Sequence, residues 1–302
     1  MQAQPKAPVK PPGCVQCPRK CGATRTDAAH LGLCGVPEEL RVARIALHPY
    51  EEPCISGAHG AGTVFFCGCN LRCVYCQNRE ISHGLLPGAP IDAATLTARI
   101  LALRDAGAAC IELVTPTQYT TALIPILQAL KPQLELPVVW NSSGYESVDT
   151  LRRLEGLVDV YLPDCKYASA ELSARLSGAP DYFAVAMEAI AEMLRQTGAP
   201  VYAPSGQLLR GVLVRHLVLP GYRKDSIAVL RALAQRFGSD RILLSLMSQY
   251  TPDFAPPDCD ESLHRRLTTF EYESVRAEAE RLGLSGYSQA RSSASAAYTP
   301  QW

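Results

Sequence analysis

The sequence predicts an α/β fold: an open, partial (β/α)6 barrel similar to a TIM barrel, preceded by a small cysteine-rich segment. From about residue 84, helix-period segments alternate with strand-period segments, the pattern of successive βα units around a parallel sheet. The strands are nearly continuous apolar runs, as expected where helices cover one side and a filled interior the other. The 302 residues, 47% of them hydrophobic, suffice to bury one large core.

Six parallel strands are predicted, each but the last clearly followed by a helix. The strands are expected over residues 63–66, 110–116, 137–144, 158–166, 211–221 and 241–250. The helices are expected between Asp92 and Gly107, around 123–130, over 147–154, 169–177 and 181–197, from Asp225 to about 237, and over 263–282. Asp92, Ser147 and Asp225 are expected to be N-caps, because their short polar side chains can accept from backbone amides.

Four regions are expected along the sequence. They are a disordered, Pro-rich lead-in (1–13), a cysteine-rich metal-binding segment (14–55), the barrel (56–283) and a flexible tail (284–302). Tyr298 and Trp302 are candidates to anchor the end of that tail.

Charge and hydropathy exclude several classes of partner. Lys and Arg together number 29, as do Asp and Glu, so no net field attracts nucleic acid or an anionic membrane. No apolar run approaches the ~20 residues that a membrane span needs, and the first residues have no apolar stretch typical of a signal peptide. Twelve cysteines in such a sequence indicate metal ligands and reduced thiols, and we expect a cytoplasmic protein.

Three cysteines follow the first predicted strand at the spacing C-x3-C-x2-C. They are Cys69, Cys73 and Cys76, on a loop that contains glycine. Three thiolates leave one iron of a 4Fe-4S cluster without a cysteine ligand, and an open metal position invites another ligand. Two alternatives stand beside this interpretation: a structural zinc site with Cys67 as fourth ligand, or simply small buried residues.

Four more cysteines form an N-terminal knuckle, which we define as residues 14–35. Cys14, Cys17, Cys21 and Cys34 have the spacing C-x2-C-x3-C-x12-C and are bracketed by glycines and proline. Almost no apolar residues are available to hold this segment together, so a metal is expected to do so. The spacing does not distinguish zinc from a second iron-sulfur cluster.

The run GCNLRCVYCQN, with Tyr75 just before the last thiol, resembles the signature of the radical S-adenosylmethionine (SAM) superfamily. It resembles more narrowly the branch of the pyruvate formate-lyase activating enzyme and its uncharacterised relatives, some of which also carry an N-terminal C..CPR.CG element. The resemblance implies a barrel of the radical SAM type, a 4Fe-4S cluster on Cys69, Cys73 and Cys76, and SAM on the open iron, with Tyr75 at the cofactor. It also implies a 5′-deoxyadenosyl radical that abstracts hydrogen, and a flavodoxin- or ferredoxin-type electron donor.

Polar residues at the ends of the second and third strands are candidate cofactor ligands, because reacting groups gather at the carboxyl ends of barrel strands. Radical SAM enzymes often carry a Gly-Gly-Glu-Pro run after the second strand, where this sequence has LVTPT, so Thr115 and Thr117 occupy that place. Asn141 and Ser143 resemble positions that meet the ribose and the methionine carboxylate. The alternative for Asn141 and Ser143 is an ordinary polar turn.

The fourth and fifth strands supply the candidate catalytic residues. Asp164 and Lys166 resemble a D-x-K pair beside the cofactor or substrate in the activating-enzyme branch, and the alternative is a screened ion pair. His216 lies within the fifth strand, where the alternative is an interior histidine with satisfied hydrogen bonds.

The expected activity is hydrogen abstraction from a substrate that the sequence does not identify. Resemblance to glycyl-radical activases suggests a backbone glycine of a partner protein, while a small molecule or a peptide remains open. The sequence lacks G-x-S-x-G, H-E-x-x-H and G-x-x-x-x-G-K-[ST], the anchor motifs of other enzyme classes. Two non-enzymatic hypotheses remain: an iron-sulfur electron-transfer protein and a zinc-stapled interaction protein.

Overall fold

The computed structural model describes residues 13–289. The predicted lead-in up to residue 12 and the tail from residue 290, with Tyr298 and Trp302, lie outside the described residues. The strands are β1 (Arg41–His48), β2 (Ala61–Phe66), β3 (Ala89–Pro90), β4 (Ile111–Val114), β5 (Val138–Ser142), β6 (Val160–Pro163), β7 (Val201–Tyr202), β8 (Leu208–Leu217), β9 (Leu243–Met247) and β10 (Gly286–Ser288). The helices are α1 (Pro53–Ser56), α2 (Arg79–Ser82), α3 (Ala93–Asp105), α4 (Thr120–Leu134), α5 (Val148–Arg152), α6 (Ala170–Ser177), α7 (Tyr182–Thr197), α8 (Arg223–Phe237) and α9 (Thr269–Arg281).

The sheet confirms the predicted open barrel. Its strand order is β10-β9-β8-β6-β5-β4-β2-β1-β3, and β7 pairs with β8 outside this path. All six predicted strands are present and parallel, as β2, β4, β5, β6, β8 and β9. Every residue of β2, β4, β5, β6 and β9 is buried, which explains why these strands read as apolar runs without a two-residue alternation.

Two strands of the sheet lie in regions where the sequence predicted none. β1 falls in the predicted N-terminal segment but pairs antiparallel with β2, so the barrel sheet begins before residue 56. β10 falls in the predicted flexible tail but pairs parallel with β9, which corrects the prediction for Gly286–Ser288. Both strands extend the sheet beyond the six βα units that the pattern indicated, β10 at one edge and β1 next to the opposite edge strand, β3.

Two of the three predicted caps, Asp92 and Ser147, stand at helix N-termini, but the Ser147 side chain makes no capping hydrogen bond. Asp92 accepts a hydrogen bond from the Thr95 amide at 2.7 Å and begins α3. The prediction that Asp225 caps α8 is wrong, because this helix begins at Arg223 and the Asp225 carboxylate instead accepts from the Ser169 amide at 2.7 Å, just before α6. In residues 13–289, no helix is both long enough and apolar enough to cross a membrane.

Arg25 fixes the N-terminal knuckle to the barrel. Its side chain is 1% exposed, and its guanidinium donates to the carbonyl oxygens of Val36 (3.0 Å), Pro37 (2.6 Å) and Gln118 (2.5 Å). The positive charge also lies 5.6 Å from the ring centre of Tyr119. Elsewhere in residues 13–35 only Cys34 is buried, so this arginine replaces an apolar core in holding the segment.

We expect Arg25→Met to lower the free energy of unfolding by about 3 kcal/mol, because it leaves buried carbonyl groups without donors. Arg276→Met is the control: Arg276 forms surface ion pairs with Glu273 and Glu280, and its loss should cost less than about 0.5 kcal/mol. Chemical denaturation measures both values. Equal effects of the two substitutions would contradict the anchoring role.

Candidate metal and cofactor site

A cavity of about 490 Å³ opens at the carboxyl ends of the strands and contains the predicted cysteine loop. This volume lies within the range of small-molecule and cofactor sites. Its lining includes most of the residues singled out from the sequence: Cys69, Cys73, Tyr75, Cys76, Thr115, Asn141, Ser143, Asp164 and Lys166. The fold thus brings together the ends of β2, β4, β5 and β6, as the barrel topology requires.

The cysteine loop runs from the end of β2 to α2 and is held by backbone hydrogen bonds. The Cys69 amide donates to the Cys34 carbonyl at 3.3 Å, and the Val74 amide donates to Leu176 at 2.9 Å. Gly68 has φ +81°, and a Cβ there would lie 2.6 Å from the Cys34 carbonyl oxygen. The close approach of the knuckle to the loop therefore requires glycine at this position.

Each of the three thiols has its own hydrogen-bond donor. Cys69 Sγ accepts from the Leu71 amide at 3.4 Å. Cys73 Sγ lies 3.0 Å from Ser177 Oγ, and Cys76 Sγ lies 3.3 Å from Ser82 Oγ. Burial, followed by the neighbouring Cys73, raises the pKa of Cys69 to about 12, and burial also raises the pKa of Cys76. Without a metal the Cys69 and Cys76 thiols keep their protons at neutral pH, and a bound metal would displace those protons.

The three thiols of the cysteine loop are the donor type that holds iron-sulfur clusters. Within the part of the protein that the structure describes, no group of three or more His, Cys, Asp or Glu side chains is arranged to hold one metal ion, which applies to this loop and to the N-terminal knuckle alike. In a cluster, each thiolate binds a different iron, so the sulfurs stand farther apart than around one zinc. Three thiols that line one cavity, each with a hydrogen-bond donor, fit a 4Fe-4S cluster.

Thr115 has a backbone conformation that favours glycine. Its φ is +55°, in the left-handed region that non-glycine residues rarely adopt. The Thr115 amide donates to the Asn141 carbonyl at 2.8 Å, and its own carbonyl accepts from Gln118 Nε2 at 2.8 Å. The two bonds hold this strained turn at the cavity wall, where the Gly-Gly-Glu-Pro run was expected.

Asp164, Lys166 and Arg215 form a partly buried ion triad. Lys166 Nζ lies 2.6 Å from Asp164 Oδ2, and Arg215 Nε lies 3.1 Å from Asp164 Oδ1. Burial alone would raise the pKa of Asp164, but the two cations outweigh it and hold this pKa below its usual value. Burial likewise opposes the charge of Lys166, but Asp164 outweighs it and raises the lysine pKa. Asp164 is therefore an ionised anchor between two cations.

The interior of the barrel below this triad is also polar. Arg215 donates to Asn141 Oδ1 at 2.6 Å, and Asn141 Nδ2 donates to Glu112 Oε1 at 2.6 Å. Glu112 also accepts from Thr63, and Glu51 lies 3.5 Å from Arg215. Burial raises the pKa of Glu112 and, more strongly, that of Glu51. These bonds fix the Asn141 amide with its oxygen toward Arg215, so its orientation is set before any ligand binds.

Ser143 is oriented by a separate set of contacts. Its hydroxyl donates to Asn70 Oδ1 at 3.2 Å, and Asn70 Nδ2 in turn donates to the Tyr145 carbonyl at 2.6 Å. Asn70 belongs to the cysteine loop, so this pair ties the end of β5 to the thiols.

Two predicted site residues lie away from the cavity. Thr117 is buried in a short 3-10 turn and donates to Glu146 Oε1 at 2.6 Å instead of lining the cavity. His216 faces the opposite side of β8 from its cavity-lining neighbours Arg215 and Leu217, because successive strand side chains alternate. Its Nδ1 lies 2.6 Å from the Cys165 carbonyl oxygen, so the structure places His216 in the interior, away from the other predicted site residues.

Arg215, Glu112 and Glu51 were missed by the sequence analysis. The signal for Arg215 was present, because a charged residue inside an apolar strand requires a buried partner. The sequence placed Arg215 next to His216 without indicating which of the two faces the cavity.

The N-terminal knuckle brings its four thiols into one small segment. The Cys14 amide donates to Ala23 (2.9 Å), and the Gly22 amide returns to the Cys14 carbonyl (3.1 Å). Burial, followed by neighbours that include Cys14 and Cys34, raises the pKa of Cys17 to about 11. All twelve cysteines lie in the described residues and none forms a disulfide.

Sequence comparison finds one curated relative with a strong match. No protein-family model matches this sequence. The uncharacterized protein MJ0674 of Methanocaldococcus jannaschii is 28% identical over 282 residues, covering 90% of this protein and 75% of the relative.

Structure comparison identifies the fold. A radical SAM methyltransferase from Sphaerobacter thermophilus aligns with a TM-score of 0.51 at 16% identity, over 76% of this protein and 66% of the methyltransferase. A spore photoproduct lyase with bound AdoMet (SAM) and dinucleoside spore photoproduct aligns with a TM-score of 0.53 at 14% identity. The alignment covers 82% of this protein and 79% of the lyase. SuiB of Streptococcus suis, bound to precursor peptide SuiA, aligns with a TM-score of 0.50 at 12% identity. The alignment covers 74% of this protein but 46% of SuiB. The protein therefore has the partial barrel fold of these radical SAM enzymes.

The buried His216 generates a prediction for the pH dependence of stability. Burial lowers its pKa to about 4, well below the unfolded value near 6.5, so the unfolded state binds a proton first as pH falls. The stability associated with neutral His216 is full above pH 6.5 and is lost as pH falls toward 4. At pH 5 the expected loss is about 2 kcal/mol relative to pH 7.5.

His216→Asn should remove this part of the pH dependence, because the asparagine amide can donate to Cys165 without titrating. Urea unfolding of both proteins at pH 7.5 and pH 5 gives the difference directly. The carboxyl groups also contribute to the pH dependence of stability, but both proteins contain the same ones, so their contribution cancels in the difference. An identical pH dependence for the two proteins would show that His216 titrates normally.

Proposed function

We propose that this protein is a radical SAM enzyme. The observation that carries the proposal is the placement of Cys69, Cys73 and Cys76 on one loop at the mouth of a partial barrel, each with a hydrogen-bond donor. When bound, a reduced 4Fe-4S cluster with SAM supplies a 5′-deoxyadenosyl radical that abstracts hydrogen from a substrate. A non-catalytic iron-sulfur or zinc protein would not need a polar cavity of about 490 Å³ beside its thiols.

The residues of the cavity would bind and orient SAM. Asn141 and Ser143 present an amide and a hydroxyl whose orientations are fixed by Arg215, Glu112 and Asn70. The triad of Asp164, Lys166 and Arg215 places one negative and two positive charges at the cavity wall. These charges suit the ammonium and carboxylate groups of the methionine part of SAM. Tyr75 is 6% exposed and contributes an aromatic face beside the thiols.

We propose that the substrate is bound in the same cavity and that a low-potential flavodoxin or ferredoxin supplies the electron. The resemblance of GCNLRCVYCQN to glycyl-radical activating enzymes favours a backbone glycine of a partner protein as hydrogen donor. A peptide or a small molecule is the alternative.

We expect the anaerobically reconstituted, reduced protein to convert SAM to 5′-deoxyadenosine, detected by mass spectrometry, and Cys73→Ala to lose this activity. Cys259→Ala is the matched control, since Cys259 lies outside the thiol loop and should retain activity. Iron binding without SAM cleavage would favour the electron-transfer hypothesis, and zinc binding alone would favour the interaction protein. With a co-encoded partner in the same assay, a glycyl radical signal in EPR would identify an activase.

The four-thiol knuckle is proposed to hold a second metal, either zinc or iron. Support comes from its burial pattern, because only Arg25 and Cys34 are buried in residues 13–35 and no apolar core stabilises the segment. A structural metal would add to the anchoring by Arg25, and its binding would draw the four thiols closer together than they stand in the described residues.

Metal analysis of the purified protein should find zinc or additional iron beyond the four irons of one cluster. Cys21→Ser should lose that extra metal and keep the cluster iron, because Cys21 belongs only to the knuckle. Cys259→Ser should keep both. Unchanged metal content in Cys21→Ser would refute the second site.

A further inference from the structure

A continuous row of buried hydroxyl groups ends on one of the thiols. Tyr75 Oη lies 2.6 Å from Tyr167 Oη, Tyr167 Oη lies 2.7 Å from Ser177 Oγ, and Ser177 Oγ lies 3.0 Å from Cys73 Sγ. Tyr167 and Ser177 are fully buried, and Tyr75 is 6% exposed. We call Tyr75, Tyr167 and Ser177 the hydroxyl row.

The direction of the hydrogen bonds in the hydroxyl row follows from counting protons. A metal-bound thiolate can only accept, so Ser177 must donate its single proton to Cys73. Ser177 must then accept from Tyr167, and Tyr167, having used its proton, must accept from Tyr75. All three O–H dipoles point toward the Cys73 sulfur, and each bond polarises the next.

The scaffold holds the end of this row rigidly. Ser177 is the last residue of α6, and its backbone carbonyl accepts from the Arg72 amide at 3.4 Å. The preceding carbonyl, that of Leu176, accepts from the Val74 amide at 2.9 Å. The two amides flank Cys73 in sequence, so the end of α6 fixes the cysteine and its donor together.

The other two thiols lack an equivalent arrangement. Cys76 Sγ meets the single hydroxyl of Ser82, at 3.3 Å, and Cys69 Sγ meets a backbone amide at 3.4 Å. Cys73 therefore has the shortest of these three contacts and the only donor backed by two further hydroxyls among the described hydrogen bonds of the three sulfurs.

We propose that the hydroxyl row raises the reduction potential of the cluster through Cys73, with Ser177 and Tyr167 as positioning residues. The inference rests on the proposed function, since it requires a cluster on Cys69, Cys73 and Cys76. An aligned O–H dipole at a ligand sulfur stabilises the added electron, because its positive end faces the growing negative charge. A chain of hydroxyls that merely satisfied one another in the core would leave the potential unchanged.

The test is a redox titration of the full-length, reconstituted protein with dithionite, monitored by EPR. Ser177→Ala should make the equilibrium constant for one-electron reduction of the cluster about tenfold less favourable. This corresponds to a midpoint potential lower by about 59 mV. Tyr167→Phe should lower it by less, because Ser177 remains but loses its polarising partner. Tyr272→Phe is the matched control: its hydroxyl donates to the Leu246 carbonyl at 3.0 Å, and its loss should not move the potential.

The double variant separates a tuning role from a structural one. If Tyr167 acts through Ser177, then Tyr167→Phe should have no further effect on the potential of Ser177→Ala. Additive shifts of the two substitutions would refute the proposal that Tyr167 acts through Ser177. An unchanged potential in Ser177→Ala would refute the effect of the hydroxyl row on the cluster while leaving radical SAM chemistry intact. Failure of the wild type to bind iron would instead remove the proposed function itself, and the row's role with it.

Discussion

The position of the cysteine loop depends on one buried amide. Gln118 Nε2 donates to the carbonyl oxygens of Cys67, Gly68 and Thr115, at 2.9, 3.0 and 2.8 Å. These three carbonyls lie where β2 and β4 end, so the side chain joins the start of the thiol loop to the strained turn at Thr115. The loop has little regular structure, and such contacts supply the rigidity that its sequence lacks.

The environment of the thiols is asymmetric. On one side lie aromatic residues and the hydroxyl row, which are neutral and buried. On the other lies the ion triad of Asp164, Lys166 and Arg215, backed by Glu112 and Glu51. Polar ligand groups are therefore expected to face the triad, whereas the aromatic side excludes water and protects what binds there. One cavity thus combines two environments that a single strand end could not provide.

The sequence predicted the elements that a local residue pattern determines. It did not predict the features that depend on which side of a strand a side chain faces. The six parallel strands and the cysteine loop follow from apolar runs and thiol spacing, which are local. Arg215 and His216 show the limit: the three residues before them, 212–214, are all buried, so polarity could not indicate which of the two faces the cavity. β1 was missed because its residues mix charged and apolar types and most are only partly buried, and β10 because it is a three-residue edge strand. The true role of Asp225 was missed because its partner, Ser169, is distant in sequence.

The contacts of the N-terminal knuckle also set an order of events during synthesis. Arg25 bonds to Gln118, 93 residues later, and Arg19 donates to the Gly178 carbonyl, 159 residues later. The knuckle is synthesised before the barrel but cannot reach its final place until most of the barrel has left the ribosome. The Cys34 carbonyl, which accepts from the Cys69 amide, belongs to the knuckle and reaches the cysteine loop only when the knuckle docks. The loop of the three thiols is therefore completed late, and the cluster proposed for it would bind only after the barrel around the loop has formed.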